Sequence, residues 1–315
     1  MSAFEDDGAD TEDGPAPGDG GARAVALEDN GTEVSATVGG VEVARYHYRP
    51  RMALFESPKP YLHPLRTTAG DTVTAYRPHD HVWHKGVQMT APWVSGENFW
   101  GGGTYVDPER EYVDLPNAGT MRHEKWTAPG VERLTWWTQG GEHWVDETRV
   151  LEVEAGCPGE GWWALNFTTV LRNTRGEALV FGSPTTRGRP MAGYAGFFWR
   201  GPRSFTGGTV IGPGNLGGPA MMGRAAPWLA FTGRHDEVDR SATLLFQAAD
   251  PETVWFVRSE PFAAVNPSLA FHEEVTVPPE GELRRAYRLV VAEGEWSRER
   301  LTDHAARHPV RPARV

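Results

Sequence analysis

The sequence predicts an all-β protein, an antiparallel sandwich or barrel that ends in one short helix. Many apolar runs are about four to eight residues long, and several alternate with period two. The 37 Gly and 25 Pro residues are dense in the connections between these runs. Only SRERLTDHAARHP, residues 297–309, has a helical pattern. We expect a single β-sandwich domain over residues 23–315.

Residues 1–22 are predicted to form a disordered acidic tail. Asp, Glu, Gly and Pro dominate this segment, so it cannot bury enough apolar surface to offset its conformational entropy. It lacks the basic start and apolar stretch of a signal peptide. No later run approaches the roughly 20 apolar residues of a membrane helix. We therefore expect a soluble, cytoplasmic protein with no membrane partner.

The strands follow from alternation and from the turns between them. In ATVGGVEVARYHY, residues 36–48, Val41, Val43 and Arg45 share one strand face after a Gly-Gly turn. The remaining strands are predicted in chain order for RMALFES, DTVTAY, GVQMTAPWV, ERLTWWTQG, HWVDETRVLEVEA, WWALNFTTVLRNT, EALVFGS, PWLAFTG, SATLLFQA, TVWFVRS, LAFHEEVTVP and ELRRAYRLVVAEG. Ser297 is the predicted N-cap of the final helix, and Pro309 ends it.

Composition excludes several classes of function. The net charge of −11 disfavours nucleic acid and anionic membranes as partners. The single cysteine, Cys157, excludes an intrachain disulfide and a multi-cysteine zinc site. The chain has no GxxxxGK[ST] phosphate loop and no GxSxG nucleophile elbow. Its 13 Trp residues exceed the needs of a core, and exposed Trp faces are common walls for sugars.

The segment RPHDHVWHKG, Arg77–Gly86, holds three of the 11 histidines and allows three interpretations. In an acid–base site, Asp80 would orient His81 or His84, and Lys85 would neutralise a developing oxyanion. In a metal site, two histidines would need a carboxylate from elsewhere, and no HExxH pattern or acidic cluster supplies one. In a structural loop, the histidines would bond to the backbone.

Polar and aromatic residues in other Gly- and Pro-rich stretches are candidates for substrate binding. Arginines interleaved with aromatic residues suit a polyol or a carboxylated sugar. For residues 182–202, an irregular loop packed on the sandwich edge is an equally good interpretation. The candidates are His63 and Arg66 in PYLHPLRTTAG, Asn98 and Trp100 in SGENFWGGGTY, and Arg187, Tyr194, Trp199 and Arg200 in GSPTTRGRPMAGYAGFFWRGP.

One carboxylate lies in line with an apolar stripe. In the predicted strand NPSLAFHEEVTV, Glu273 shares a face with Leu269, Phe271 and Val275. A strand end at the rim of the sheet would explain this, and so would a carboxylate aimed into a pocket.

The segments KPYLHPLRTTAGDTVTAYRPHDHVWHKGVQM, SGENFWGGG and TTVLRNTRGEALVFGSPTTRGRPMAGYAGFFWRGP resemble, in order and spacing, a bacterial family of unknown function. Its members are often labelled "methane oxygenase PmoA". The resemblance covers nearly all of the chain after the tail and falls on Asp80, His81, His84 and Gly86. The monooxygenase subunit of that name is an integral membrane protein, so the label is not carried over.

The family resemblance implies a β-supersandwich similar to galactose mutarotase-like domains. FTTVLRNTRGEAL looks like their Asn-bearing strand, and VPPEGELRRAYRLVV looks like their closing strand pair. In such enzymes a histidine acid and a glutamate base share one concave pocket. The closest matches here are His81 or His84, and Glu273. The mutarotase histidine follows the Asn-bearing strand, where this chain has arginines and aromatics instead.

The sequence thus predicts a carbohydrate-active protein, an epimerase, lyase or hydrolase, whose partner is a small-molecule sugar or sugar acid. His81, His84, Asp80 and Glu273 are the predicted catalytic residues, and no cofactor or metal is assigned. Two alternatives stay open: a non-catalytic sugar-binding or sensing module, and the metal-dependent oxidoreductase that the inherited label implies. The oligomeric state is left open.

Overall fold

Short apolar runs form the strands of this chain, which are 2 to 13 residues long. The computed structural model describes residues 24–107 and 111–314, and the predicted tail over residues 1–22 lies outside them. The strands in the first half of the described chain are β1 (Val25–Asp29), β2 (Glu33–Val38), β3 (Val41–His47), β4 (Tyr61–Leu65), β5 (Val87–Thr90), β6 (Trp93–Val94), β7 (Thr104–Val106), β8 (Glu111–Val113), β9 (Thr120–Ala128), β10 (Val131–Trp137) and β11 (His143–Ala155).

The second half carries the rest of the strands and one α-helix. These strands are β12 (Trp162–Asn173), β13 (Leu179–Gly182), β14 (Gly196–Arg200), β15 (Thr209–Ile211), β16 (Arg224–Ala225), β17 (Trp228–Arg234), β18 (Ser241–Ala248), β19 (Val254–Arg258), β20 (Ala264–Pro267), β21 (Val275–Val277) and β22 (Glu282–Glu293). The helix is α1 (Arg298–Arg307), and short 3-10 turns lie at Leu54–Glu56, Arg203–Phe205 and Gly218–Met221.

Two large antiparallel sheets form a sandwich, which confirms the predicted all-β class. One sheet has nine strands in the order β1-β2-β3-β4-β5-β14-β20-β19-β16. The other has eight, in the order β15-β17-β18-β22-β12-β11-β10-β9. A three-stranded sheet, β21-β13-β6, and the β7-β8 pair complete the described fold.

Aromatic side chains fill the space between the two large sheets. Phe197 on β14 contacts Phe167 on β12 with ring centroids 5.1 Å apart. Trp199, also on β14, packs on Phe231 and Phe246 at 5.2 and 5.6 Å and is fully buried. Truncating a buried Phe or Trp to Ala typically costs about 3–5 kcal/mol, so β14 anchors the nine-stranded sheet to its partner.

Helix α1 covers the outer face of the eight-stranded sheet. Ser297 caps it as predicted, accepting a 3.3 Å hydrogen bond from the backbone of Arg300. Leu301 and the nearby Trp296 are buried against Trp162 and Leu245. The helix therefore covers the part of this sheet around Trp162 and Leu245.

Several predicted strands are confirmed, and HWVDETRVLEVEA matches β11 from His143 to Ala155. The strand prediction for RMALFES is wrong, because Leu54–Glu56 form a 3-10 turn that brings Glu56 to Lys85 and Arg77. The prediction for DTVTAY is also wrong, since that stretch makes only isolated bridges to Arg66 and Lys85.

Two further differences concern the candidate site. LAFHEEVTVP is not one strand: β20 ends at Pro267, bends follow, and β21 begins at Val275. Conversely, GFFWR was predicted as part of a Gly-rich connection but forms β14 in the centre of the nine-stranded sheet. Within the described residues, no helix has the length and apolar character needed to cross a membrane.

Candidate functional site

A concave cavity of about 390 Å³ lies on the outer face of the nine-stranded sheet. Strand alternation puts Phe198 of β14 and Phe256 and Arg258 of β19 on this face, while Trp199 and Trp255 point into the sandwich core. The remaining lining residues are His81, Trp83, His84, Pro92, Trp93, Asn98, Trp100, Gly101, Gly103, Thr104, Tyr105, Tyr112, Ser183, Pro184, Arg187, Arg189, Tyr194, Pro261 and Phe262.

The histidine-rich segment, residues 77–86, is a closed loop docked on the end of β14. The backbone of Arg77 donates to the carbonyl of His84 at 2.9 Å, and Arg200 donates to the carbonyl of Gly86 at 2.8 Å. Gly86 has φ +71°, and a Cβ there would lie 2.3 Å from the carbonyl oxygen of Leu62. The closure that glycine permits brings the loop's polar side chains to Arg200.

Arg200, Asp80 and His81 form a continuous hydrogen-bonded chain. The Arg200 Nη2 donates to Asp80 Oδ1 and Oδ2 at 3.1 and 3.0 Å. Asp80 Oδ2 in turn bonds His81 Nδ1 at 2.8 Å. Burial raises the pKa of Asp80, but the hydrogen bonds from His81 and Arg200 outweigh it and hold that pKa below its ordinary value. Asp80 is thus an ionised acceptor that fixes the His81 ring through Nδ1, and His81 lines the cavity.

Two influences oppose each other at His81. Burial lowers its pKa and the Asp80 carboxylate raises it, with a net lowering. The neutral ring then donates from Nδ1 to Asp80 and carries a lone pair on Nε2. His81 also meets the edges of Trp83 and Phe262, with centroids at 5.1 and 5.2 Å, so its orientation is set on several sides.

His84 stacks beneath His81 and has the opposite hydrogen-bonding role. Its ring lies 4.7 Å from that of His81 at an interplanar angle of 14°. Arg200 Nη1 lies 3.1 Å from His84 Nδ1, and because a guanidinium only donates, Nδ1 must accept. Burial holds the pKa of His84 well below its ordinary range, with further lowering by the charges of His81 and Arg200. His84 is therefore neutral, with its proton on Nε2.

Asn98 and the following glycines shape the part of the cavity wall that contacts the histidine-rich loop. Asn98 Oδ1 accepts from the backbones of Trp100 and Gly101 at 2.9 and 3.0 Å, and its Nδ2 donates to the Gly102 carbonyl at 3.0 Å. Gly102 has φ +68°, and a Cβ there would lie 2.6 Å from the Trp83 ring. The glycines thus let the loop approach Trp83. The side-chain amide of Asn98 makes its hydrogen bonds within the loop.

Trp100 and Tyr194 form a continuous aromatic wall. Their rings lie 4.5 Å apart, and Trp100 also packs on Phe198 at 4.8 Å. The Tyr194 hydroxyl bonds that of Tyr112 at 2.7 Å, and burial raises the pKa of Tyr194 well above its ordinary value. Arg187 also lines the cavity and lies over the Trp93 ring at 4.4 Å.

Other predicted site residues lie outside the cavity lining. Lys85 is fully buried, paired with Glu56 and bonded to the carbonyl of Val82 at 2.6 Å. Arg66 pairs with Glu42 at 2.6 Å. Each basic group is therefore occupied by a structural partner. Arg200 is also absent from the lining, and it contacts the site indirectly by hydrogen bonds to Asp80 and His84.

Three more of the predicted residues lie outside the cavity lining because of strand register and burial. His63 bonds Thr74 Oγ1 at 2.9 Å and stacks on Tyr76 at 5.2 Å, and burial lowers its pKa to about 4. Trp199 lies in the sandwich core and donates to the Val73 carbonyl at 2.9 Å. Glu273 is exposed in the bend before β21, outside the lining.

The structure adds lining residues that the sequence analysis did not select. Trp83 was visible in the histidine-rich segment, and Arg189 lies two residues after Arg187. Arg258 could have been found from alternation in TVWFVRS, since residues 256 and 258 share the face opposite Trp255. Tyr112 and Phe262 come from segments with no signal of a site.

No group of three or more His, Cys, Asp and Glu side chains is arranged to hold a metal ion within residues 24–107 and 111–314. Nδ1 of His81 is bonded to Asp80, and Nδ1 of His84 is bonded to Arg200. The donor set on the described residues therefore does not fit a three-ligand metal centre.

Comparisons with known proteins identify a family and distant structural likenesses. A family model described as a family of unknown function, DUF6807, matches residues 33–306. No curated protein matches the chain. Similar solved structures include a GH36 alpha-galactosidase AgaA variant from Geobacillus stearothermophilus in complex with raffinose, at 12% identity and a TM-score of 0.36. Another is the alpha-galactosidase from Lactobacillus brevis, at 9% identity and a TM-score of 0.33.

Both alignments cover 87% of this chain, but 41% and 40% of the respective alpha-galactosidases. The chain thus spans about two fifths of the length of these structures.

Proposed function

We propose a function for this chain, which belongs to DUF6807, a family of unknown function: it binds a sugar in the concave cavity and acts on it by histidine-based acid–base chemistry. One observation carries the proposal. A cavity walled by aromatic rings contains His81 and His84, two stacked histidines whose Nδ1 atoms are held by Asp80 and Arg200.

The cavity suits a sugar in size and surface. Its volume of about 390 Å³ falls within the roughly 300–1,000 Å³ of small-molecule sites. Trp83, Trp100 and Tyr194 offer flat apolar faces for the C–H surface of a sugar ring, while their polar tips and neighbouring side chains can bond hydroxyls.

The two histidines supply complementary chemistry. His81 Nε2 accepts a proton from the sugar, and the Asp80 carboxylate at Nδ1 stabilises the imidazolium that forms. His84 Nε2–H donates a hydrogen bond to a sugar oxygen on which negative charge develops. The proton then returns from His81 to the product or to water. In epimerisation the proton returns to the opposite face of the same carbon, and in elimination it goes to the departing oxygen. In hydrolysis His81 would instead take a proton from the attacking water and deliver it to the departing glycosidic oxygen.

The test combines calorimetry with NMR of the sugar. Mono- and disaccharides are titrated into the full chain and its His81→Ala and His84→Ala variants, and each mixture is followed for new sugar signals. His79→Ala is the matched control, because His79 is exposed and does not line the cavity. We expect His81→Ala to abolish turnover while sugar binding persists and the control behaves as wild type.

Three results would overturn the proposal in different ways. Unchanged turnover in both variants would remove the histidines from the chemistry. Tight binding with no product from any sugar would assign a non-catalytic sugar-binding or sensing module. A stoichiometric transition metal in the purified protein, lost together with activity on chelation, would favour the metal-dependent oxidoreductase.

A further inference from the structure

The charge of the cavity is opposite to that of the chain. The sequence carries a net charge of −11, yet the lining contains Arg187, Arg189 and Arg258 and no Asp or Glu among the described residues. Guanidinium groups only donate hydrogen bonds. A ligand held here must therefore supply acceptors, and a formal negative charge matches three arginines best.

Of the three arginines that line the cavity, Arg258 has the fewest protein partners at its guanidinium group. It ends β19 and extends over the face of Phe256, 5.4 Å from that ring's centroid. Within residues 24–107 and 111–314, no carboxylate lies within 4.0 Å of it, and its side chain makes no protein hydrogen bond. Arg258 lines the same cavity as His81, the proposed base.

Arg187 and Arg189 are held by aromatic faces rather than by strong ion pairs. Arg187 lies 4.4 Å over Trp93, and among the described residues only the carboxylate of Glu274 pairs with it, at 3.9 Å. Arg189 lies 5.0 Å over Tyr112 and donates to the hydroxyl of that tyrosine. Stacking fixes a guanidinium plane while leaving N–H groups at its edge for a ligand.

We infer that the ligand of this cavity is a carboxylated sugar of the uronic-acid type, bound through Arg258 and through Arg187 or Arg189. The inference rests on the proposed sugar site and adds the charge of the substrate. A planar carboxylate matches the two parallel N–H donors of a guanidinium, and the aromatic wall remains available for the sugar ring.

The test compares sugars that differ only in the carboxylate. Glucuronate and glucose, and galacturonate and galactose, are titrated into the full chain by calorimetry at low and high salt. We expect each acid to bind at least about 10-fold more tightly than its neutral partner, since a hydrogen bond to a charged group contributes about 1.5–3 kcal/mol. We also expect the preference to weaken with salt.

Variants of the lining arginines test whether the preference for acids over neutral sugars arises in the cavity. Arg258→Gln should lower the affinity for the acid about 10- to 100-fold and lower that for the neutral sugar by a smaller factor. Arg258→Lys keeps the charge and should retain part of the preference. Arg234→Gln is the control, because that arginine is 82% exposed and lies outside the cavity. Thermal unfolding of each variant shows whether it is folded.

Each outcome separates this inference from the function on which it rests. Equal affinity for acid and neutral sugars would contradict the proposal that the ligand is anionic, but it would leave the proposed sugar site standing. A preference for acids that survives Arg258→Gln and the double variant Arg187→Gln, Arg189→Gln also overturns it. If none of the four sugars binds, the proposed sugar site fails, and this inference fails with it.

Discussion

The imidazoles of His81 and His84 stack 4.7 Å apart, inclined by 14°, yet they carry opposite hydrogen-bonding roles. Asp80 accepts from Nδ1 of His81, and Arg200 donates to Nδ1 of His84. The Nε2 atom of His81 therefore carries a lone pair, and the Nε2 atom of His84 carries a proton. When two adjacent titratable groups lie in different environments, one can act as a base while the other donates a hydrogen bond.

Replacing Asp80 by Asn should lower the pKa of His81. The carboxylate favours the imidazolium, while burial and Arg200 disfavour it, so the neutral amide leaves only the opposing influences. NMR titration of the His81 ring measures the shift without any substrate. Asp71→Asn is the control, since Asp71 pairs with Arg240 at 2.7 Å outside the cavity.

If a turnover is found, Asp80→Asn should also lower it by about 10²–10⁴-fold, the range for loss of general acid–base catalysis. An unchanged His81 pKa in Asp80→Asn would show that the aspartate does not act on the ring.

Gly102→Ala should destabilise the protein and disturb the cavity wall. The left-handed φ of +68° costs a residue with a Cβ about 1–2 kcal/mol, and the new methyl group would lie 2.6 Å from the Trp83 ring. Gly214→Ala is a matched control, because Gly214 has φ +59° with nothing within 4 Å of the added Cβ. Chemical denaturation and Trp fluorescence of both variants check the prediction. Equal losses of stability would contradict the contact with Trp83.

Arg149→Met should destabilise the sandwich by about 3–5 kcal/mol, because it leaves a buried carboxylate without its ion-pair partner. Arg149 bonds Glu147 twice, at 2.8 and 2.9 Å, and also bonds the hydroxyl of Tyr46 at 2.8 Å. Arg149 and Glu147 are 1% and 0% exposed. Urea unfolding measures the loss.

The matched control for this prediction is Arg234→Met, which breaks an exposed pair with Glu295 and should leave the free energy of unfolding almost unchanged. Comparable effects from the two variants would mean that the buried ion pair contributes no more to stability than an exposed one.

His304 should make stability fall as the pH is lowered. Burial against Trp162 and Trp296 holds its pKa at about 3, below its ordinary 6.5. Between these values the unfolded chain binds a proton that the folded chain does not, so its contribution is fully present above pH 6.5 and declines towards pH 3.

His304→Phe removes this titration, so its free energy of unfolding should fall less than that of the wild type between about pH 7 and pH 4. Urea unfolding across this range measures the slope, with His79→Phe as an exposed control. Parallel slopes in wild type and His304→Phe would contradict the prediction.

Local patterns were sufficient for much of the fold. The period-two alternation of HWVDETRVLEVEA predicted β11 from end to end, and Ser297 with Pro309 predicted the limits of α1. These features depend on neighbouring residues in the chain, so the sequence contains them directly. GFFWR was missed, because a short strand between Gly-rich turns has the composition of a connection.

The candidate site shows the same division. By itself, the sequence determined that Asp80, His81 and His84 are clustered within one loop, and that Arg187, Trp100 and Tyr194 belong to polar, aromatic connections. Only the tertiary structure decided that Arg200 reaches Asp80 across 120 residues of chain, that Arg258 lines the cavity, and that Trp199 is in the core while Glu273 is not in the site. Strand register and the pairing of distant strands set these positions, and a one-residue difference moves a side chain to the other face of the sheet.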